Sequence, residues 1–272
     1  MFYYRSVSSQ LQYLECLKNR LNDALSSKPE GHLIIHSSHN HPQFYFKRHS
    51  SDTYEQFIRK ENHILVVELA QKEYEKRLLK VLCQQQQILF RLQENKQQRS
   101  ASFMFHALAD VYDHLPETRK VLIQPYVLPD TLFIQQWLSR PYKPQPFSDH
   151  LSSYYTRKGV RVRSKSEKII FDLVDNLQIP NLYEYPVDIG MQDLYHPDGT
   201  LLDIREREEV IYEHFGKMHE HGYCMNALSK IDQFERAGHP MCDRFLCSFE
   251  GGRIALNIAS IESTLRQRFF GE

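Results

Sequence analysis

Residues 196–216 read HPDGTLLDIREREEVIYEHFG, and this stretch decides the fold of the second half of the chain. Two largely apolar runs, 196–204 and 209–215, lie on either side of the charged run Arg205–Glu208. Extended runs around a short polar segment are typical of a β-hairpin. The stretch therefore predicts an antiparallel hairpin whose turn lies in the charged run.

The hairpin brings together two carboxylates. Paired residues on antiparallel strands have a constant sum of residue numbers, and a turn centred between residues 205 and 206 pairs Asp198 with Glu213. Their β-carbons would then lie about 5 Å apart. Like charges at this distance repel each other, and a divalent cation would relieve the repulsion. HPDG is also an ordinary turn sequence, and Asp203 is a rival acid nearer the turn.

The hairpin lies within an alternating series of helices and strands, in the order αβββαβα. The predicted elements are helix 166–178, strand 182–187, the hairpin, helix 223–236, strand 245–249 and helix 254–269. We expect an α/β sandwich with a small mixed sheet, in the α/β or α+β class.

The first half of the sequence is mainly helical. Leucines recur at three- and four-residue spacing over 7–26, strand-like runs at 32–36 and 43–48 predict a small β-hairpin, and a long helix is expected from residue 51 or 53 to 98. The long helix should pack against the first helix or form a homodimeric coiled coil. Shorter helices are predicted at 103–114 and 130–138.

A proline-rich segment separates the two halves. It covers Pro141–Asp149, and the predicted domains are therefore 1–150, a helical region for dimerisation or nucleic-acid binding, and 151–272.

Composition limits the function classes. The chain has 272 residues, with 34 Lys and Arg against 34 Asp and Glu, so binding to nucleic acid would need a local basic patch. Its five cysteines are odd in number and form no CxxC pair, which argues against a disulfide framework or a zinc ribbon. The start of the chain lacks a signal-peptide pattern, and no apolar run is long enough to span a membrane. We expect a soluble, cytoplasmic protein with no membrane partner.

Four short motifs carry a family resemblance: Ser166-Glu167 at a helix start, the strand YEYP at 183–186, HPD at 196–198 and YEHFG at 212–216. Together with the element order, they resemble the PD-(D/E)XK nuclease superfamily, which has the restriction-endonuclease-like fold. The resemblance covers Arg163 to Phe249 and says little about the first 150 residues.

This resemblance implies a metal-dependent endonuclease that hydrolyses phosphodiester bonds of nucleic acid, with DNA as the expected substrate. Asp198 and Glu213 would hold Mg²⁺ or Mn²⁺, and the backbone carbonyl of His214 would be a further ligand. Glu167 would assist at the metal site, although an acid in the first turn of a helix is also favourable by itself.

The sequence departs from the superfamily pattern at two positions. Phe215 stands where the catalytic lysine is usual, and Gly199 where an apolar residue is common. Lys230 is the leading substitute for the lysine, because helical spacing places it beside the face expected to pack on the sheet. It could equally be a lysine at the edge of an apolar stripe, and Lys217 is nearer in sequence. The alternatives to a nuclease are a catalytically inactive nucleic-acid-binding module and a helix-mediated oligomerisation protein.

A cluster of basic residues precedes and follows Glu167. Its spacing among Ser, Thr and Gly residues suits contacts with phosphates, and a basic flexible linker is the alternative. The cluster comprises Arg157, Lys158, Arg161, Arg163, Lys165 and Lys168.

Overall fold

Helices and strands of the chain divide between two compact units, Met1–Phe133 and Ile134–Glu272. Both units combine helices with antiparallel strands, so the protein is α+β overall, in agreement with the coarser fold prediction. This computed structural model describes residues 7–38, 41–94, 104–147, 153–190 and 194–271.

The first unit packs helices around a three-stranded antiparallel sheet. Its strands are β1 (His32–Ser38), β2 (His41–Lys47) and β3 (Gln56–Phe57), and its helices are α1 (Val7–Ser26), α2 (His63–Glu94), α3 (Met104–Asp113) and α4 (Glu117–Lys120), followed by the start of α5 (Asp130–Leu138). The predicted helix 7–26 and the predicted hairpin are confirmed. The third strand was not predicted.

Helix α2 begins later than predicted, and residues 95–98 of the predicted helix lie outside the described ranges. The residues from 51 to 62 are not part of it, because they include β3 and a short 3₁₀ turn at Lys60–Asn62. Its buried apolar residues, among them Leu78 and Leu82, belong to the same core as Leu14 and Leu21 of α1. Of the two expected arrangements, the structure therefore shows packing against the first helix. This packing covers most of the apolar stripe that motivated a coiled-coil dimer, while Ile64 at its start is exposed.

The second unit contains the predicted order αβββαβα. A short unpredicted hairpin precedes it, formed by β4 (Tyr154–Tyr155) and β5 (Arg161–Val162). The elements that follow are α6 (Lys165–Asn176), β6 (Asn181–Tyr183), β7 (Gly199–Asp203), β8 (Glu208–Phe215), α7 (His221–Arg236), β9 (Phe245–Phe249) and α8 (Ile258–Phe270). The sheet order is β6-β7-β8-β9, with antiparallel pairs except for β9, which runs parallel to β8.

The register of the β7–β8 hairpin confirms the sequence prediction. Gly199 pairs with Tyr212 and Asp203 pairs with Glu208, so the sum of paired residue numbers is constant. The turn covers 204–207. Asp198, one position before β7, therefore lies at the level of Glu213.

The two faces of this sheet are packed by different helices. On one face, Val210 and Tyr212 of β8 belong to a core that includes residues of α6 and α8. On the other, Ile211 and Phe215 pack with Phe234 of α7. Because side chains alternate along a strand, Glu213 shares the α7 face with Phe215, and His214 points to the opposite face.

The described part of the proline-rich segment, which ends at residue 147, belongs to the second unit. The Tyr142 hydroxyl donates a hydrogen bond to the Tyr183 carbonyl over 2.8 Å, and Phe147 packs against the cluster formed by Val162, Phe171 and Tyr183. Further upstream, the indole N–H of Trp137 donates to Glu209 of β8 over 2.8 Å. The compact unit accordingly begins at Ile134 and not at the predicted boundary after residue 150.

In the described parts of the chain, no helix has both the length and the apolar character needed to cross a membrane.

Candidate active site

Asp198 and Glu213 lie side by side at the open end of the hairpin, opposite the turn. The side chain of each is held by a backbone N–H of the other strand. The His214 N–H donates to Asp198 Oδ2 over 2.6 Å. The Asp198 N–H in turn hydrogen-bonds to the Glu213 carboxylate. The hydroxyl of Tyr195 donates to Glu213 Oε1 over 2.8 Å. The hairpin therefore fixes the two carboxylates in one small region.

The environment makes both acids hard to ionise. Burial raises the pKa of Glu213 to about 7, although the charge of Lys230 and the hydrogen bond from Tyr195 oppose the rise. Burial and the charges of Glu213 and Glu167 raise the pKa of Asp198 well above its ordinary range. A pair of acids whose ionisation is opposed in this way is typical of functional sites.

Glu167 combines the two roles considered for it. Ser164 caps helix α6 by accepting a hydrogen bond from the Glu167 N–H over 3.1 Å. The Glu167 carboxylate accepts from the Tyr183 hydroxyl over 2.6 Å and from the Arg163 N–H over 3.0 Å. Its charge also raises the pKa of Asp198 and of Glu213. Glu167 thus belongs to the start of the helix and to the electrostatic environment of the acid pair.

Lys230 approaches the acid pair from helix α7. Its Nζ lies 5.2 Å from the centroid of the Tyr195 ring, and the Tyr195 hydroxyl binds Glu213. The positive charge of Lys230 lowers the pKa of both Asp198 and Glu213, against the effect of burial. Lys217, the alternative, is 65% exposed and lies 4.0 Å from Glu220. Lys230, and not Lys217, is therefore the lysine that contacts a residue of the site, through the ring of Tyr195.

Phe215, which stands where the resemblance implies a lysine, packs with Ile211 and Phe234 in the core of the unit. It is 2% exposed and stacks on Phe249, with 5.6 Å between ring centroids. Gly199 stands where the resemblance implies an apolar side chain, and the absence of a side chain has a steric explanation. A β-carbon at this position would lie 2.5 Å from Cζ of Phe171, so the aromatic ring of α6 occupies the space of a larger side chain.

The side chain of His214 takes part in a different network. Its Nδ1 lies 2.8 Å from Ser248 Oγ, and its Nε2 lies 3.2 Å from the Glu250 carboxylate. Of His214, it is therefore the backbone, through its N–H, that contacts Asp198. The rival acid Asp203 is also engaged elsewhere, since it pairs with Arg268 and accepts from the Arg205 N–H over 3.0 Å.

Two tyrosines at the site were missed in the sequence. Tyr195 binds Glu213 and supports Lys230, and its pKa is raised by burial and by the Glu213 charge. The pKa of Tyr223, in the first turn of α7, is also raised by burial and by the charges of Asp198 and Glu213. Tyr195 stands three residues before Asp198, but nothing in the local pattern indicates that its hydroxyl points at Glu213.

The basic cluster is structured, so its interpretation as a flexible linker is wrong. Its residues lie in the β4–β5 hairpin, directly after it, or on α6. Most of its charges are used within the unit: Arg157 Nη1 donates to Asn176, Lys158 pairs with Asp175, Arg163 with Glu184, and Lys168 with Asp172. Arg161 lies over the Phe147 ring at 4.4 Å, and Lys165 is exposed. Because most of the six side chains are engaged within the unit, the six residues together do not form a strong phosphate-binding patch.

Metal binding by side chains would depend on the acid pair. Among the residues that the structure describes, no group of three or more His, Cys, Asp and Glu side chains is placed to hold a metal ion. Glu167 is thus near enough to act through its charge without completing a three-ligand group. The pair still matches the usual protein contribution to a Mg²⁺ site, which is one or two carboxylates.

Comparison with known proteins gives no family assignment. No family model, curated protein or solved structure matches this chain.

Proposed function

We propose that the second unit is a metal-dependent nuclease with a restriction-endonuclease-like core, and that it hydrolyses phosphodiester bonds of nucleic acid, with DNA as the expected substrate. One observation carries the proposal: Asp198 and Glu213 lie at the same level of two antiparallel strands, and Lys230 approaches them from α7. The observed order αβββαβ supports the same interpretation.

The charge of the acid pair suits a divalent cation. Burial and mutual repulsion raise the pKa of Asp198, and Lys230 is the positive group that offsets these effects for both acids. Asp198 and Glu213 would hold Mg²⁺ or Mn²⁺, with the His214 carbonyl as a further oxygen ligand. Such an ion would neutralise phosphate charge and make a bound water more acidic.

The protein groups around the pair have separate roles. The His214 N–H and the Tyr195 hydroxyl orient the carboxylates before substrate binds. Lys230 would stabilise the negative charge that develops on the phosphate, because a preorganised cation in a water-poor site acts strongly there. Glu167 would act by its charge and by fixing the start of α6.

An inactive binding module is the second candidate, and Phe215 is the observation that favours it. Loss of the usual lysine is expected in a protein that has kept the fold and lost the chemistry. The position of Lys230 argues against an inactive module, because a lysine with only a packing role at the surface would not need to approach two buried acids. Dimerisation through α2 is not included in the proposal, because most of its apolar stripe is packed within the first unit.

Cleavage of supercoiled plasmid tests the proposal. The wild-type protein should nick DNA with Mg²⁺ or Mn²⁺ and not with EDTA, and Glu213→Ala should abolish cleavage without unfolding the protein. Glu220→Ala is the matched control, since Glu220 is an exposed acid in the loop after β8. Binding without cleavage of single- or double-stranded DNA or RNA would support the inactive module instead.

A further inference from the structure

A second site lies in the first unit, far in sequence from the acid pair. A cavity of about 630 Å³ is bordered by α1, α2 and the segment 121–126. This volume lies in the range of small-molecule sites in proteins. None of the residues used in the proposed nuclease reaction lines the cavity.

Glu75 is the most unusual residue of the cavity wall. Its side chain is 1% exposed, and its Oε1 accepts hydrogen bonds from Gln71 Nε2 and from the Tyr126 hydroxyl, both over 3.2 Å. Its Oε2 is buried, and no donor among the described residues reaches it. A buried carboxylate oxygen without a donor is destabilising. A ligand that donates an N–H to this oxygen would remove that cost.

The rim of the same cavity carries positive charge. Arg20 and Lys28 both line it, and neither forms an ion pair with any residue in the described ranges. Arg20 Cζ lies 5.4 Å from the centroid of the Tyr126 ring, whose hydroxyl binds Glu75. A single tyrosine side chain thus borders both the buried acid and one rim cation. Glu68 is the other acid among the lining residues, and it is exposed.

We propose that this cavity binds a nucleoside monophosphate whose base carries an exocyclic amino group. The amino group would donate to Glu75 Oε2, and the phosphate would lie between Arg20 and Lys28. Carboxylates accept from exocyclic base amines, and Arg and Lys are the usual partners of phosphate. A cavity of this volume suits a nucleotide better than a bare anion. The proposal concerns the first unit alone and does not depend on the nuclease proposal.

Calorimetric titration of the full chain with AMP, CMP and UMP tests the role of the amino group. CMP and UMP differ at the base position where CMP carries an amino group and UMP a carbonyl oxygen. We expect AMP and CMP to bind at least about tenfold more tightly than UMP, because a charge-assisted hydrogen bond contributes this much. Equal affinity for CMP and UMP, or no binding of any of the three, would overturn the proposal.

Variants assign the two ends of the ligand. Glu75→Gln should reduce the preference for CMP over UMP, and the double variant Arg20→Gln, Lys28→Gln should weaken AMP binding about tenfold or more. Lys80→Gln is the control, since Lys80 is exposed on α2 outside the cavity and should leave affinity unchanged. Unchanged AMP affinity in the double variant would refute the phosphate assignment, even if Glu75→Gln failed to fold. Glu213→Ala should bind AMP normally, so the two proposals can fail separately.

Discussion

Glu213 is 4% exposed, and the ionisation of its carboxyl group should make the free energy of unfolding depend on pH. Burial raises its pKa from 4.5 to about 7 in the folded chain. Between these values the unfolded chain releases the proton while the folded chain keeps it. Stability from this group is therefore fully present below pH 4.5 and is lost as the pH rises to about 7.

Thermal or urea unfolding over this pH range should show the loss. We expect the free energy of unfolding to fall by on the order of 3 kcal/mol between pH 4.5 and pH 7, since each pKa unit corresponds to about 1.4 kcal/mol. Glu213→Gln should make this decline smaller, although Asp198, whose pKa is also raised by burial, still contributes to it, and the variant should be more stable than wild type at pH 8. Identical pH profiles for the two proteins would show that Glu213 ionises normally.

Lys230 lowers the pKa of both acids, whereas burial raises it. Lys230→Met keeps the apolar stem and removes the charge that lowers the pKa of Asp198 and Glu213. If the unit is a nuclease, turnover should fall about 100-fold, as for loss of one preorganised charge, and the pH at which activity appears should rise. Plasmid cleavage over a range of pH measures both effects. Lys217→Met, on an exposed lysine, is the control, and equal activity of the two variants would contradict the role given to Lys230.

At the scale of elements, Arg163 is a structural ion-pair partner and Lys165 is not. The side chain of Glu184, the partner of Arg163, is 6% exposed. Arg163→Gln would leave that carboxylate buried without its cation and should lower the free energy of unfolding by about 2 kcal/mol, less than for a fully buried pair. Lys165→Gln should leave stability within experimental error. Urea denaturation distinguishes the two, and equal stability of the variants would contradict the assignment.

Phosphate binding by Lys165, at the start of α6, can be tested separately. If the exposed part of the basic cluster binds duplex DNA, Lys165→Gln should reduce the slope of log affinity against log salt concentration by about 0.9 for each phosphate that it no longer neutralises, equally for all sequences. An unchanged salt slope in a protein that binds DNA would place the phosphate-binding residues on another surface.

Several elements could be predicted from sequence because their signals are local. The leucine spacing predicts helix 7–26, the residues 130–138 form the predicted helix, and strand 245–249 has the predicted bounds. Helix α2 was extended wrongly toward residue 51, because β3 forms through non-local pairing of Phe57 with Tyr45. Its formation depends on the neighbouring strand and not on a pattern in residues 51–62.

The candidate site likewise contains contacts that the sequence predicts and contacts that it does not. The pairing of Asp198 with Glu213 follows from the hairpin register, which two apolar runs and a charged turn determine. The contact of Tyr195 with Glu213 does not follow from this register, because Tyr195 is positioned by an isolated bridge to Val187, outside the regular strands. The ion pair of Lys168 with Asp172 is at helical spacing and could have been predicted.

At the scale of the whole molecule, the second unit should fold when it is expressed with its proline-rich segment. A fragment of residues 134–272 keeps Tyr142 and Phe147, which pack within the unit, whereas a fragment of 151–272 lacks both side chains. We expect the longer fragment to unfold cooperatively and the shorter one to melt at a lower temperature or to aggregate. Circular dichroism on both fragments measures this, and equal melting temperatures would show that the segment contributes no stability.

The single tryptophan of the chain gives the second unit its own optical signal. Trp137 is 4% exposed, and its indole N–H donates to Glu209 over 2.8 Å. Selective excitation at the red edge of protein absorbance therefore reports on this unit alone, while tyrosine fluorescence and far-ultraviolet ellipticity average over the whole chain. A red shift of the emission maximum would mark the opening of the second unit even if the first remained folded. The chain thus carries a built-in fluorophore that can follow one unit without any label.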